Sequence, residues 1–238
     1  MHILGVRIDN FLKEEILEKI ESFLGEEKLH RIATVNPEMV LLAQERDEFR
    51  EVLNTCDLNV ADGIGIKFAF LWQGGKLKCR FAGADLMHAV LGMAQKRGMD
   101  VFLAARKDGL SSWQETAAAL RKKYPRIEFS GDNIDLRNLS SYRIPDAGYQ
   151  LLLCSFGAPS QELFISRIKN DKIRLAIGIG GTFDFVTGKI RRAPLFMRVL
   201  GLEWLWRLAL EPSYRAKRVL GAVMLFPFKI IFGKKYDA

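Results

Sequence analysis

Cysteine and histidine are scarce: the 238 residues hold three of each. Cys56, Cys79 and Cys154 are odd in number and widely spaced, with neither metal-ligand nor redox spacing. They suit a reducing cytoplasm and read as small buried apolar side chains. His2, His30 and His88 form no H-x-x-x-H or similar cluster, so neither zinc nor any other metal is expected. Long hydrophobic runs are also lacking. The longest, "VLGAVMLFPFKIIF" at 219–232, has 14 residues and contains Pro227 and Lys229, whereas a bilayer-spanning helix needs about 20. The opening "MHILGVRIDNFLKEEILEKI" turns acidic and amphipathic at once, unlike a secretory signal. No repeat, low-complexity tract or Ser/Gly/Pro-rich linker occurs. The expectation is a chain that is soluble or lies on a surface.

What is present is unevenly distributed. There are 36 basic against 28 acidic residues, a net charge of +8. From Lys189 onward there are 11 basic and 3 acidic residues, so the neutral part, 1–188, carries 25 of each. A uniformly basic chain would suggest nucleic acid. A neutral body with a basic, aromatic-rich tail points elsewhere, and no nucleic-acid partner is expected.

Strand-like and helix-like segments alternate. "ILGVRI" reads as a strand, and Asp9 or Asn10 can cap a helix with Phe11, Ile16, Ile20 and Leu24 at helical spacing. "LHRIATV" is a second strand, and Asn36-Pro37 supplies an N-cap and first-turn proline for "EMVLLAQ". A short strand at 57–60 precedes a helix from about 64, and another helix runs from Asp85 through Gln95. "MDVFLAA" is a strand, and "SSWQETAAALRKKY" a helix ended by Pro125. "YQLLLCSFG" and "IRLAIGIGG" are strands flanking a helix that starts near Pro159. Continuously apolar strands between helices predict an α/β fold with a Rossmann-like, mostly parallel sheet. Beyond Pro194 the chain reads as helical, aromatic and basic, with Leu202, Leu205 and Leu208 expected against the core. We divide it into an α/β body, 1–190, and a C-terminal appendage, 191–238.

Four polar clusters fall where strands end, the edge at which open α/β sheets bind ligands. They are Thr34 and Asn36, Asp62, Ser160 with Gln161, and Thr182 with Asp184. Each has a plainer reading alone. Asn36 can be only a cap, Thr34 a strand residue, Asp62 turn chemistry, and Glu162 part of a capping box. Together, with Gly63, Gly65, Gly178, Gly180 and Gly181 leaving backbone N–H groups open and helix starts nearby, they suit a phosphate-bearing ligand. No Walker-type G-x-x-x-x-G-K-S/T and no complete G-x-G-x-x-G occurs. A dinucleotide-dependent oxidoreductase and a non-enzymatic binder of anionic surfaces are two readings these features leave open, and no cofactor is expected.

Six blocks in order along the chain, "TVNPEMVLLAQ", "NVADGIGIKFA", "RFAGADLM", "FGAPSQELFI", "GIGGTFDFVTGKIRRAP" and "GLEWLWRLALEP", resemble the WecG/TagA/CpsF family of bacterial glycosyltransferases, glycosyltransferase family 26. The resemblance implies a GT-E type fold. It also implies metal-free, inverting transfer from a UDP-sugar to a polyprenyl-diphosphate-linked saccharide, in the synthesis of cell-surface polysaccharides or teichoic acid linkage units. It places the general base on Asp62 and acceptor-site groups on Thr34 and Asn36. Arg80 and Gln161 become diphosphate- or sugar-binding residues. A carboxylate held rigidly at a strand end can take the proton from an attacking hydroxyl, and Gly63, Gly180 and Gly181 leave room for substrate. Asp184 is a further candidate, or a structural acceptor between Phe183 and Phe185.

The chain departs from the pattern at "FLAARKDG" and "FSGDNIDLRN", near the expected donor side. In the tail, Arg207, Lys217 and Arg218 are candidates to close over the diphosphate. The basic and aromatic residues from 191 onward, including Lys234 and Lys235, are expected to meet an anionic membrane surface. That places the protein on the inner face of the bacterial membrane, and a homo-oligomer is compatible with the sequence.

Overall fold

The computed structural model describes residues 1–233, apart from the side chains of Tyr214 and Lys217. Lys234 and Lys235 therefore lie outside the described residues.

The first strand-like run is broken rather than continuous. Leu4 and Gly5 both take positive φ, 47° and 77°, so β1 (His2–Ile3) and β2 (Val6–Arg7) fold back as a small antiparallel hairpin outside the main sheet. Asp9 and Asn10 do not cap the first helix. The Asp9 carboxylate accepts the Asn59 N–H at 2.8 Å, Asn10 bonds the backbone of Lys76 and Lys78, and α1 (Lys13–Gly25) begins without a side-chain cap.

The remaining elements are β3 (His30–Val35), α2 (Pro37–Glu45), α3 (Asp47–Thr55), β4 (Leu58–Ala61), α4 (Ile64–Trp72), α5 (Gly83–Arg97), β5 (Val101–Arg106), α6 (Trp113–Arg121), β6 (Phe129–Ile134), β7 (Leu151–Ser155), α7 (Ser160–Ser166), β8 (Leu175–Gly178), α8 (Thr182–Val186), α9 (Leu195–Leu200), α10 (Glu203–Leu210), α11 (Pro212–Leu220) and α12 (Phe226–Phe232). A π-helical turn, Gly221–Leu225, joins the last two. Six strands form one sheet in the order β4-β3-β8-β7-β5-β6, and every neighbouring pair is parallel. The fold is α/β, as the alternation predicts. β6 was not foreseen. It is an edge strand whose Ser130, Gly131, Asp132 and Asn133 hide the apolar signal, and its ladder with β5 makes it a strand.

Alternation along each strand feeds two helical layers. Ile32, Leu58, Leu103, Leu151, Leu153 and Ile177 face α1, α5 and α6. Ala33, Val35 and Ala61 face α2, α3 and α4, while Leu152, Cys154 and Ala176 meet α7. The appendage joins the second layer through Phe226 and Ile230, which pack with Val35, Ile66 and Phe70. Leu205, expected inside, is 42% exposed, because α10 meets the body with its charged face. Among the described residues no helix is long and apolar enough to cross a membrane.

Candidate active site

Because all six strands run the same way, their C-terminal ends share one edge. There Thr34 pairs with Val60, Val35 with Ala61, and Ala33 and Cys154 both with Gly178. The buried Thr34 hydroxyl donates across the sheet to the Gly178 carbonyl at 3.2 Å. Asn36 is the N-cap of α2, its Oδ1 accepting from Met39 N–H at 3.0 Å.

Asp62 follows β4 directly, and its N–H extends the ladder to the Val35 carbonyl at 2.8 Å. Gly63 then turns the chain at φ 90° to open α4, a conformation that a side chain would strain. A Cβ on Gly65 would sit 2.5 Å from the Pro37 ring, so the N-termini of α2 and α4 converge beside Asp62. A third helix start completes the arrangement: the N–H of Gly83, the first residue of α5, lies near enough to the Asp62 carboxylate to favour its ionised form. Thr34 lies against the same glycine, with Oγ1 3.3 Å from where a Cβ would be.

These surroundings set the charge state of Asp62. Burial raises its pKa most and the Glu203 carboxylate adds to this, while Arg207, the Gly83 N–H and Arg80 oppose them, leaving it pushed up to about 6. A carboxylate with that value is ionised at neutral pH yet basic enough to accept a proton.

The cations come from body and appendage together. Arg80 donates to the backbone carbonyl of Arg198, which starts the last turn of α9. Arg192 forks onto Asp85 at 2.8 and 2.7 Å and lies 3.8 Å from Glu203. Glu203 is also 3.6 Å from Arg207, whose guanidinium stacks 4.4 Å over the Phe185 ring. Burial holds the Arg207 pKa below its ordinary value. The buried Nε atoms of Arg192, Arg198 and Arg207 carry no hydrogen bond. Asp85, Arg192 and Glu203 were missed as site residues although each lies in a quoted sequence block. Only the folded chain brings those blocks together.

The other predicted residues fall into two groups. Gln161 and Gly180 lie on the same edge, Gln161 buried and bonded to Gly157 and Gly180 N–H groups, both at 3.1 Å. Gly180 turns at φ 53°, and Gly181 caps α8. Glu162 belongs to no capping box. It is buried, with Pro159 in the capping position. Asp184 accepts the Ser111 hydroxyl at 2.8 Å, the structural-acceptor arrangement. Arg218 pairs with Glu38 of α2 at 2.6 and 2.9 Å, and the Lys217 side chain lies outside the described residues. Among the described residues no three His, Cys, Asp or Glu side chains gather as ligands for a metal.

A carboxylate near its working pKa, three helix N-termini and four arginines can together deprotonate a hydroxyl beside a bound anion. Comparison with known proteins agrees with that chemistry. The model for the glycosyl transferase WecG/TagA/CpsF family matches residues 1–237. An N-acetylglucosaminyldiphosphoundecaprenol N-acetyl-beta-D-mannosaminyltransferase of Bacillus subtilis (strain 168) is 33% identical over 194 residues, covering 79% of this chain and 74% of that protein.

Proposed function

The chain belongs to the WecG/TagA/CpsF family of glycosyltransferases, and from that premise we propose that it moves an N-acetylmannosaminyl-type sugar from its UDP conjugate to undecaprenyl-diphosphate-linked N-acetylglucosamine, with inversion and without a metal. Family membership sets aside the oxidoreductase and non-enzymatic readings.

The observation that carries the mechanism is Asp62, with its pKa near 6, where the starts of α2, α4 and α5 meet the arginines. The acceptor hydroxyl gives its proton to Asp62 as its oxygen bonds the anomeric carbon. The bond from that carbon to the diphosphate oxygen breaks on the opposite side, and its electron pair leaves with UDP. Arg80 and Arg207 offset the charge that develops on the diphosphate, the task a metal ion performs elsewhere. Thr34 and Asn36 hold the acceptor, and Gly63, Gly180 and Gly181 keep the edge open to it.

The appendage brings the enzyme to its lipid-linked substrate. Phe196, Leu200, Met224, Phe228 and Phe232 are exposed among basic residues suited to anionic headgroups. These residues support a peripheral position on the cytoplasmic face of the membrane. The test is transfer from UDP-N-acetylmannosamine to a short-chain polyprenyl-diphosphate acceptor, with and without a chelator. Asp62→Asn should lower kcat by about 10²–10⁴-fold with folding intact. Full activity in that variant would remove Asp62 from the mechanism.

A further inference from the structure

One ionisable group at the strand edge has no part in the mechanism above. Glu162, in the first turn of α7, is 3% exposed. Its Oε1 accepts from Gln161 Nε2 at 2.7 Å, while its buried Oε2 meets no side-chain donor of the protein. Gly178 provides the space for this pair, since a Cβ there would lie 2.5 Å from Gln161 Nε2 and 2.8 Å from Glu162 Oε1. The Gln161 amide oxygen, in turn, accepts two N–H groups, those of Gly157 after β7 and Gly180 after β8.

This is a relay with one workable orientation. Were the Gln161 amide turned over, its NH₂ group would face two N–H donors and its oxygen would face the carboxyl. An acceptor at position 162 forbids that flip. We propose that Glu162 is a positioning residue which, through Gln161, fixes the Gly157 and Gly180 loops in the shape that receives the donor's diphosphate. The inference rests on the transferase reading for its ligand, but not for its geometry.

Near neutral pH the carboxyl exchanges between its two forms, and Oε1 accepts from Gln161 in either. An ionised carboxylate with one oxygen unpartnered in so closed a site would be strongly disfavoured. Burial accordingly pushes Glu162 up to about 7, against the opposing bonds from Gln161 and its own N–H. Its titratable neighbours stay neutral: burial and the nearby Glu162 push the Cys56 thiol up to about 12 and the Cys154 thiol upward as well. A glutamine at 162 retains an acceptor oxygen and fits the same space.

The experiment compares wild type, Glu162→Gln and Glu162→Met, the last filling the volume without an acceptor. Amide hydrogen exchange is read at Gly157 and Gly180, with Leu153 in β7 as an internal control. In parallel, kcat and KM for UDP-N-acetylmannosamine are measured. Glu162→Met should speed exchange at both glycines by roughly 10-fold or more while Leu153 is unmoved, and raise donor KM by a similar factor. Glu162→Gln should behave as wild type in both assays. Unchanged exchange in the Met variant overturns the proposal. Faster exchange with unchanged donor KM does so too, as does a Gln variant as impaired as the Met variant. Absence of transfer by wild type would defeat the transferase reading instead, leaving the exchange result to decide the relay.

Discussion

In β7 the four residues Leu151 to Cys154 are wholly buried, whereas in α9 four of the five apolar residues, Leu195, Phe196, Val199 and Leu200, are more than 60% exposed. The two regions hold themselves in place by different means. The body's edge is fixed by a continuous parallel ladder with helices on both faces. Among the described residues the appendage is held by one fully buried aromatic, Phe226, with Ile230 beside it, and by ion pairs such as Arg192–Asp85 and Arg218–Glu38. Yet it also supplies Arg207 and Glu203, which bias Asp62 in opposite directions. The proposed base, Asp62, belongs to the ladder-held region, and part of its tuning comes from the appendage.

Removing the anchor is the strongest way to break this contrast. Phe226→Ala should cost about 3–5 kcal/mol in chemical denaturation, since the ring lies in the layer formed by α2, α4 and β3. A separate early transition, with the main midpoint unmoved, would mean that the appendage folds as its own unit.

The next change leaves the fold alone. Phe228 and Phe232 are 59% and 71% exposed and pack on each other at 5.0 Å, so replacing both with Ser should leave the melting temperature unchanged. Binding to anionic vesicles should weaken about 10-fold or more, given about 1.5–3 kcal/mol for each fully buried ring. Equal flotation of variant and wild type would move the membrane contact off this helix.

A smaller effect tests the coupling between the regions. Wild-type kcat/KM should fall below about pH 6 as Asp62 takes up its proton. Arg207→Ala removes a group that favours the ionised form and should move this acid limb upward, while Glu203→Gln should move it downward. A limb unmoved by both would uncouple the appendage from the base. Stability follows the same titration. The folded pKa lies above the ordinary carboxylate value, so Asp62 contributes least stability above pH 6 and recovers it as pH falls toward 4. Asp62→Asn should therefore stabilise the protein by on the order of 1 kcal/mol more at pH 8 than at pH 4.

The contrast also explains what the sequence could disclose. Strands such as "LLLCS" announce themselves because burial on both faces demands unbroken apolarity. β6 could not, since an edge strand can carry Asp132 and Asn133 and still complete a ladder. Nor could the hairpin, whose reversal rests on the local conformation of Leu4 and Gly5. Asp9 reads as a cap but bonds Asn59, fifty positions away. At the site, the strand ends marked Asp62 as one of four polar clusters, and the family resemblance singled it out as the candidate base. Arg207 was named from the basic tail, but its partners Asp85, Arg192 and Glu203 were not, because ion pairs spanning the body and appendage leave no spacing signal.

The finest distinction concerns Asn36, which has both a structural and a chemical reading. Its Oδ1 already caps α2 through Met39 N–H, so Asn36→Ala should cost about 1 kcal/mol whatever else the residue does. Serine caps a helix about as well, so Asn36→Ser should lie within a few tenths of a kcal/mol of wild type. It nevertheless lacks the amide NH₂ group that would donate to a bound saccharide. If Asn36 holds the acceptor, the Ser variant will melt like wild type while its KM for the lipid-linked substrate rises and its donor KM stays put. Matching acceptor kinetics would leave Asn36 as a helix cap, and the body's contribution to acceptor binding would then rest on Thr34.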